Sequence, residues 1–176
     1  MTELFDTYTA DGQRLGTLPR DEVHRTGAWH RAVNVFLFNA AGELLIQQRA
    51  ASKDVCPLKW DLSVAEHMQP GETYLAGALR GIQEELGLAC EELLPLGEPT
   101  THQLVLPDQN LRNCEFTQCY RGEVRGEVKL DPSEVADSRY INLSDLCEQL
   151  TSSPQACTET YTPWFIDLVQ HVRLCR

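Results

Sequence analysis

The stretch HMQPGETYLAGALRGIQEELGL, from His67 to Leu88, constrains this chain more than any other segment. Pro70-Gly71 is a turn dipeptide, and the residues after it take up a helical period. Over Thr73 to Leu86 the spacing predicts a helix, with Leu75, Ala78, Leu79, Ile82 and Leu86 on its apolar face and Gly87 as C-cap. Gly77, Gly81, Glu84 and Glu85 then fall on the side away from that face. Glu84 and Glu85 are adjacent carboxylates near a helix C-terminus, where the macrodipole disfavours negative charge. A hard divalent cation such as Mg2+ relieves that penalty and the repulsion between the two carboxylates, because it takes carboxylate oxygens and completes its shell with water. Arg80 precedes Glu84 by one turn and can pair with it or reach back to Glu72. A solitary pair of glutamates is ordinarily a solvated helix face, so this pair gains meaning only from what surrounds it. Gly81 is the anomaly. A glycine inside a helix costs about 1 kcal/mol relative to alanine, and this one sits beside the most chemically loaded residues of the chain.

The remaining chain reads as strands and short helices in irregular alternation. An N-terminal hairpin within residues 1–20 is expected from LFDTY, a turn at Asp11-Gly12, and QRLG. AVNVFLFN and ELLIQQR are strand sequences joined at Ala40-Ala41-Gly42, and Ala50 to Trp60 reads as a loop. WDLSVA leads into the Pro70-Gly71 turn as a short strand, and HQLVL and CEFTQCYRGEV are later strands. LSDLCEQL predicts a short helix with Ser144 as N-cap. In TPWFIDLVQHVRLC, Thr162 caps, Pro163 takes the first helical position, and Phe165, Leu168, Val169 and Val172 form a buried stripe. Without repeats or a long linker, residues 1–176 are expected to form one α+β domain, or a sandwich of helices around a mixed sheet.

Composition narrows the function. Acids outnumber bases 26 to 15, for a net charge of −11 and no compensating basic run. That field argues against a nucleic-acid polymer as partner and suits a protein that meets polyanions through a bound cation. No run of about 18 apolar residues occurs, so a membrane-spanning helix is not expected. MTELFDTYTADG lacks a basic region followed by an apolar one, and a cytoplasmic location is expected. The seven cysteines contain no CxxC pair, which argues against a zinc ribbon or a full disulfide framework and predicts mostly free thiols.

Residues 66–88 resemble the signature of the Nudix hydrolases, G-x5-E-x7-R-E-U-x-E-E-x-G-U, with U a bulky aliphatic residue. Glu66, Glu72, Arg80, Gly81, Ile82, Glu84, Glu85, Gly87 and Leu88 fall at its fixed positions without gaps, and seven of the nine agree. The departures are Glu66 in place of the first glycine and Gly81 in place of the glutamate after the arginine. RDEVHRTGAWHRAV, ELLIQQRAASKD, WDLSVAEHMQPGE, the later CEF and TPWF are similar to the branch closest to type 1 isopentenyl-diphosphate isomerase. The resemblance implies the Nudix fold, an α/β/α sandwich around a mixed β-sheet. It also implies a divalent-metal-dependent hydrolase, using Mg2+ or Mn2+, that cleaves a diphosphate bond in a small nucleoside-diphosphate-type or related substrate.

On that resemblance Glu84 and Glu85 are metal ligands. Glu72 and Arg80 fix the loop against the helix, with Glu72 also near the metal shell, and Glu115 is a third ligand or a base. Glu66 is expected to compensate for the carboxylate missing at Gly81, or else to be merely solvated. His24, His30 and His67 fall in matched segments, so a histidine-containing site with His67 as a ligand is expected. His102 and His171 are read as structural. Arg49, Lys53 and Lys59 are candidates to bind terminal phosphates, and Trp29 and Trp60 either pack in the core or stack on a base. Isomerisation is the first alternative, yet the isomerase cysteine is matched by Ala65 and its first strand glutamate by Asn113. A binding or regulatory module with little turnover is the second. The sequence leaves the oligomeric state open, a homodimer included.

Overall fold

The computed structural model describes residues 3–90, 92–107 and 110–175. It begins with the hairpin β1 (Leu4–Tyr8) and β2 (Arg14–Pro19), then the short helix α1 (Arg20–Thr26). The long strand β3 (Trp29–Phe38) and β4 (Leu44–Arg49) follow, then β5 (Trp60–Asp61) and β6 (Val64–His67). Helix α2 (Tyr74–Leu86) comes next, and then β7 (Leu94–Pro95), β8 (Thr100–Leu106), β9 (Leu111–Glu123) and β10 (Val135–Ile141). The chain closes with α3 (Leu143–Ser152), α4 (Pro154–Thr160) and α5 (Pro163–His171).

β3 organises the sheet. It pairs parallel with β9 from Trp29↔Cys114 to Phe38↔Glu123, and antiparallel with β6 from Ala32↔His67 to Val35↔Val64. β8 extends β9 antiparallel, β10 flanks β4, and the sheet is mixed. Both faces of β3 are covered, which is why its sequence is nearly continuous apolar rather than alternating. Val33, Val35, Leu37 and Val64 pack on Ala78, Ile82 and Leu86 of α2. Phe36, Phe38, Leu44 and Ile46 pack on Leu146, Leu150, Phe165, Leu168 and Val169 of α3 and α5. Two helical layers thus enclose the mixed sheet, as the α/β/α expectation has it.

Helix α2 has its expected ends. The Thr73 side chain accepts from the Ala76 N–H, and Gly87 adopts the left-handed conformation with φ 63°. Its orientation differs from the expectation. Leu75 and Leu79 are 45% and 37% exposed, while Gly77, Gly81 and Glu85 are buried with Ala78, Ile82 and Leu86. The helix lies on β6 by its small residues, so the two leucines fall beyond the sheet. A Cβ at Gly81 would meet Val64 Cγ1 at 2.8 Å and Glu66 Cβ at 3.1 Å, and one at Gly77 would meet Met68 Cε at 2.6 Å. The glycine in mid-helix is therefore a site of close approach, and the propensity it gives up is offset by contact with β6.

Other details depart from the sequence reading. Asn142, not Ser144, caps α3, its Oδ1 accepting from the Ser144 N–H at 2.9 Å. α1, α4 and β10 were not expected. Cys147 and Cys175 form a disulfide between α3 and the segment after α5, and five cysteines are free. Thr162 and Pro163 start α5 as expected, with Val172 packed at the margin of the core.

Candidate active site

A pocket of about 460 Å³ opens where β3, β6 and β9 meet the loop before α2. Its two walls have different chemistry. Glu66, Arg80, Glu84 and Glu85 form one, and His24, His67 and Glu115 belong to the other.

The acidic wall is held by Arg80. Its guanidinium lies 3.2 Å from Glu66 Oε2, 3.0 Å from Glu72 Oε2 and 3.1 Å from Glu84 Oε2, and it donates to the His67 carbonyl at 2.8 Å. One cation thus ties the strand, the loop and the helix together, beyond the two partners expected for it. Glu72 also accepts from the Gln69 N–H at 2.9 Å, closing the turn at Pro70-Gly71. Burial would raise the Glu72 carboxyl, but its hydrogen bonds with Arg80 and Gln69 bring it below the usual range. Glu84 is exposed and Glu85 is buried, where it accepts from Gln47 Nε2 at 2.6 Å. Burial, with the negative charge of Glu66 nearby, pushes the Glu85 carboxyl well above the ordinary value. Burial also raises Glu66, against the pull of Arg80.

Glu66 and Gly81 form a geometric exchange. The Glu66 Cβ and Cγ occupy the space a side chain at position 81 would fill, 3.1 and 3.4 Å from its notional Cβ. The Glu66 carboxylate, carried on the strand opposite, reaches Arg80 and the pocket.

The second wall is aromatic and nitrogen-rich. Among the described residues, His24, His30 and His67 are the group of potential ligands whose donor atoms all lie within 4.8 Å of one another. Phe5 stacks on His30 and His67 with ring centroids 5.2 and 4.6 Å away. Glu115 Oε1 lies 3.2 Å from His67 Nε2 and 3.7 Å from His30 Nε2, and Asn113 Nδ2 donates to it at 2.8 Å. Burial would raise Glu115, but the hydrogen bond and charge of His67, with His30 and Asn113, hold it at about 2. Burial and neighbouring imidazoles lower His24 to about 3 and His30 to about 4, so both are neutral near pH 7. Their Nε2 atoms are buried without a hydrogen-bond partner among the described residues. Orphaned imidazole nitrogens beside a carboxylate are a donor set that fits a divalent transition metal. His24, His30, His67 and Glu115 would hold it.

Other candidates divide. Arg49 and Lys53 line the pocket, Lys53 paired with Glu134, whereas Lys59 donates to the Thr158 carbonyl outside it. Trp60 lies under Arg139, 4.1 Å from its ring centroid, and Trp29 packs on Phe116 at 4.9 Å. The tryptophan that lines the pocket is Trp164, which the sequence marked as part of a helix start and of the resembling TPWF segment, with no role of its own. His102 also lines it, with Nε2 at 3.4 Å from Asp167, while His171 is exposed. Gln47, Asn34 and Thr117 were missed because polar residues in apolar strands give no sequence signal of their own.

The NUDIX domain pattern matches residues 28–165. The chain belongs to that family. It is 32% identical over 170 residues to an isopentenyl-diphosphate Delta-isomerase of Serratia proteamaculans, covering 97% of this chain and 91% of the relative. It is also 32% identical over 177 residues to Nudix hydrolase 3 of Arabidopsis thaliana, covering 94% of this chain and 22% of that longer protein. Among solved structures, DR0079 from Deinococcus radiodurans superposes with a TM-score of 0.73 at 24% identity, over 98% of this NUDIX chain and 99% of the other.

Proposed function

We propose that this NUDIX protein is a divalent-metal-dependent hydrolase that cleaves a diphosphate bond in a small nucleoside-diphosphate-type or related molecule, with Mg2+ or Mn2+ as its cation. The observation that carries this reading is the Glu66–Gly81 exchange. A chain that had abandoned hydrolysis would have no need to restore, from the strand, the carboxylate its helix lacks. Glu84, Glu85 and Glu66 would hold the cation on the acidic wall, with Glu72 positioning them through Arg80. A bound divalent cation supplies charge neutralisation for phosphate oxygens and lowers the pKa of a coordinated water. Burial raises the carboxyls of Glu85 and the half-buried Glu66 above the ordinary value, and a carboxylate of raised pKa is a stronger base toward an attacking water.

The isomerase reading is favoured by the relatives and by the histidine wall. It requires one group to protonate a carbon and another to remove a proton. Ala65 stands in the pocket where the resemblance places the isomerase cysteine, and Asn113 where it places a glutamate. Neither side chain transfers protons. The two readings separate in a screen of nucleoside diphosphates and triphosphates, nucleotide sugars and prenyl diphosphates with Mg2+ or Mn2+. Phosphate or pyrophosphate release that is abolished in Glu84→Gln/Glu85→Gln is expected. Release equal to that double variant on every substrate, or interconversion of isopentenyl and dimethylallyl diphosphate, would sink the hydrolase reading.

A further inference from the structure

Asp61 is completely buried, yet every contact of its carboxylate is with a donor. Oδ1 accepts from the Leu62 N–H at 2.8 Å, the Thr162 hydroxyl at 3.0 Å and Trp164 Nε1 at 2.9 Å. Oδ2 accepts from Trp164 Nε1 at 2.9 Å and Arg49 Nη1 at 3.3 Å. Such a constellation demands the ionised form, because a protonated oxygen would face a donor. Burial pushes the carboxyl up, and Arg49 with the hydrogen bonds opposes it. A carboxylate this deep is costly unless its partners are fixed, and here they come from three separate segments.

Two of those partners, Arg49 and Trp164, line the pocket, whereas Asp61 itself does not. The Arg49 guanidinium donates through Nε to the Val55 carbonyl at 3.0 Å and through Nη1 to Asp61, and lies 5.2 Å from the Trp164 ring centroid. Its Nη2 makes no hydrogen bond with any described residue. The indole in turn is pinned by its N–H to the same carboxylate. An otherwise mobile guanidinium is therefore clamped at one edge and one face.

We propose that Asp61 is a positioning residue. It orients the Arg49 guanidinium against Trp164 so that the free N–H groups meet the phosphate end of a diphosphate in the pocket. This rests on the reading of the pocket as a diphosphate site. A simple charge argument predicts the opposite effect, since a negative group next to an arginine weakens its hold on an anion. The two accounts give opposite signs for Asp61→Asn. Asparagine can keep one oxygen for Leu62, Thr162 and Trp164, but turns its NH2 toward Arg49 and releases it.

The test is titration of the full chain with inorganic pyrophosphate and Mg2+ by calorimetry. Asp61→Asn is expected to weaken binding by about tenfold or more. Arg49→Gln should weaken it as much, and the double variant no further. Thr162→Val removes a donor from Oδ1 alone, and is expected to lower the melting temperature while leaving pyrophosphate affinity in place. Unchanged or tighter binding in Asp61→Asn overturns the positioning role. If that variant does not fold, Arg49→Lys decides, since lysine keeps the charge without the fork. Retained affinity in Arg49→Lys overturns the proposal, and a loss matching Arg49→Gln supports it. Absence of pyrophosphate binding in the unaltered protein removes the diphosphate reading itself, a result distinct from equal binding in both forms.

Discussion

The two walls of the pocket answer the problem of buried charge in opposite ways. On the acidic side Arg80 reaches Glu66, Glu72 and Glu84, so those carboxylates are restrained and partly neutralised by the protein itself. On the histidine side the imidazoles of His24 and His30 stay neutral and leave nitrogens without a hydrogen-bond partner among the described residues. The acidic wall is organised by the chain's own cation, whereas the histidine wall has polar capacity the chain does not use. If a cation binds as proposed, the two walls would meet it unequally, and perturbing each wall separately should give separate signatures.

The largest effect is expected on the acidic wall. Glu85→Gln should lower turnover roughly a hundredfold or more, since the variant removes the proposed cation ligand and basic carboxylate together. His24→Ala and His67→Ala should instead lower the metal-induced rise in melting temperature. If the histidine variants lose as much turnover as Glu85→Gln with metal saturating, the division of labour between the walls fails.

The exchange across the acidic wall comes next. Gly81→Glu alone should destabilise the protein by about 1–3 kcal/mol through overpacking against Val64 and Glu66, read as a shift in the urea midpoint. Pairing it with Glu66→Gly should recover part of that loss, since the competing side chain is removed. Equal destabilisation in the single and double variants would show that the two positions do not share one space.

A pH titration distinguishes the walls without mutation. His24 and His30 have folded values of about 3 and about 4 against an ordinary 6.5, so the unfolded chain takes up protons first. Their contribution is intact above pH 6.5 and is lost as pH falls toward 4, at up to about 1.4 kcal/mol per unit of displacement. The metal-free protein should therefore lose stability over that window in urea melts, and His24→Asn should flatten the slope. An unchanged slope would mean that the imidazoles are protonated in the fold.

The smallest effect falls outside both walls. Leu75→Ser and Leu79→Ser should each change stability by less than about 0.5 kcal/mol, because both leucines are exposed. Ile82→Ala, facing Val33 and Val64, should cost about 2–5 kcal/mol. Thermal melts of these variants check the orientation of α2, which the sequence reading had turned toward the leucines.

That rotation shows where legibility stopped. Helical periodicity located α2 and its C-terminal glycine cap, since these depend on residues close along the chain. It misplaced the buried face because hydrophobicity assigns leucine inward and glycine nowhere, whereas close approach of backbones rewards the smallest side chain. The box spacing likewise brought Glu66, Glu72, Arg80, Glu84 and Glu85 to attention, but not which of them Arg80 would hold or that Glu85 would be buried on Gln47. Asp61 and Trp164, about a hundred positions apart, both fall in segments that carry the resemblance, but nothing in the sequence showed that they meet.

The sequence by itself determined the acidic box and its two departures, Glu66 and Gly81, through local spacing and residue type, and the family and its α/β/α layering through resemblance. The tertiary structure alone decided that Gly81 is a contact with β6, that Glu66 fills its place, and that three histidines from α1, β3 and β6 face Glu115. These rest on parallel pairing of β3 with β9 and on the packing of α2, long-range contacts whose partners no local period encodes.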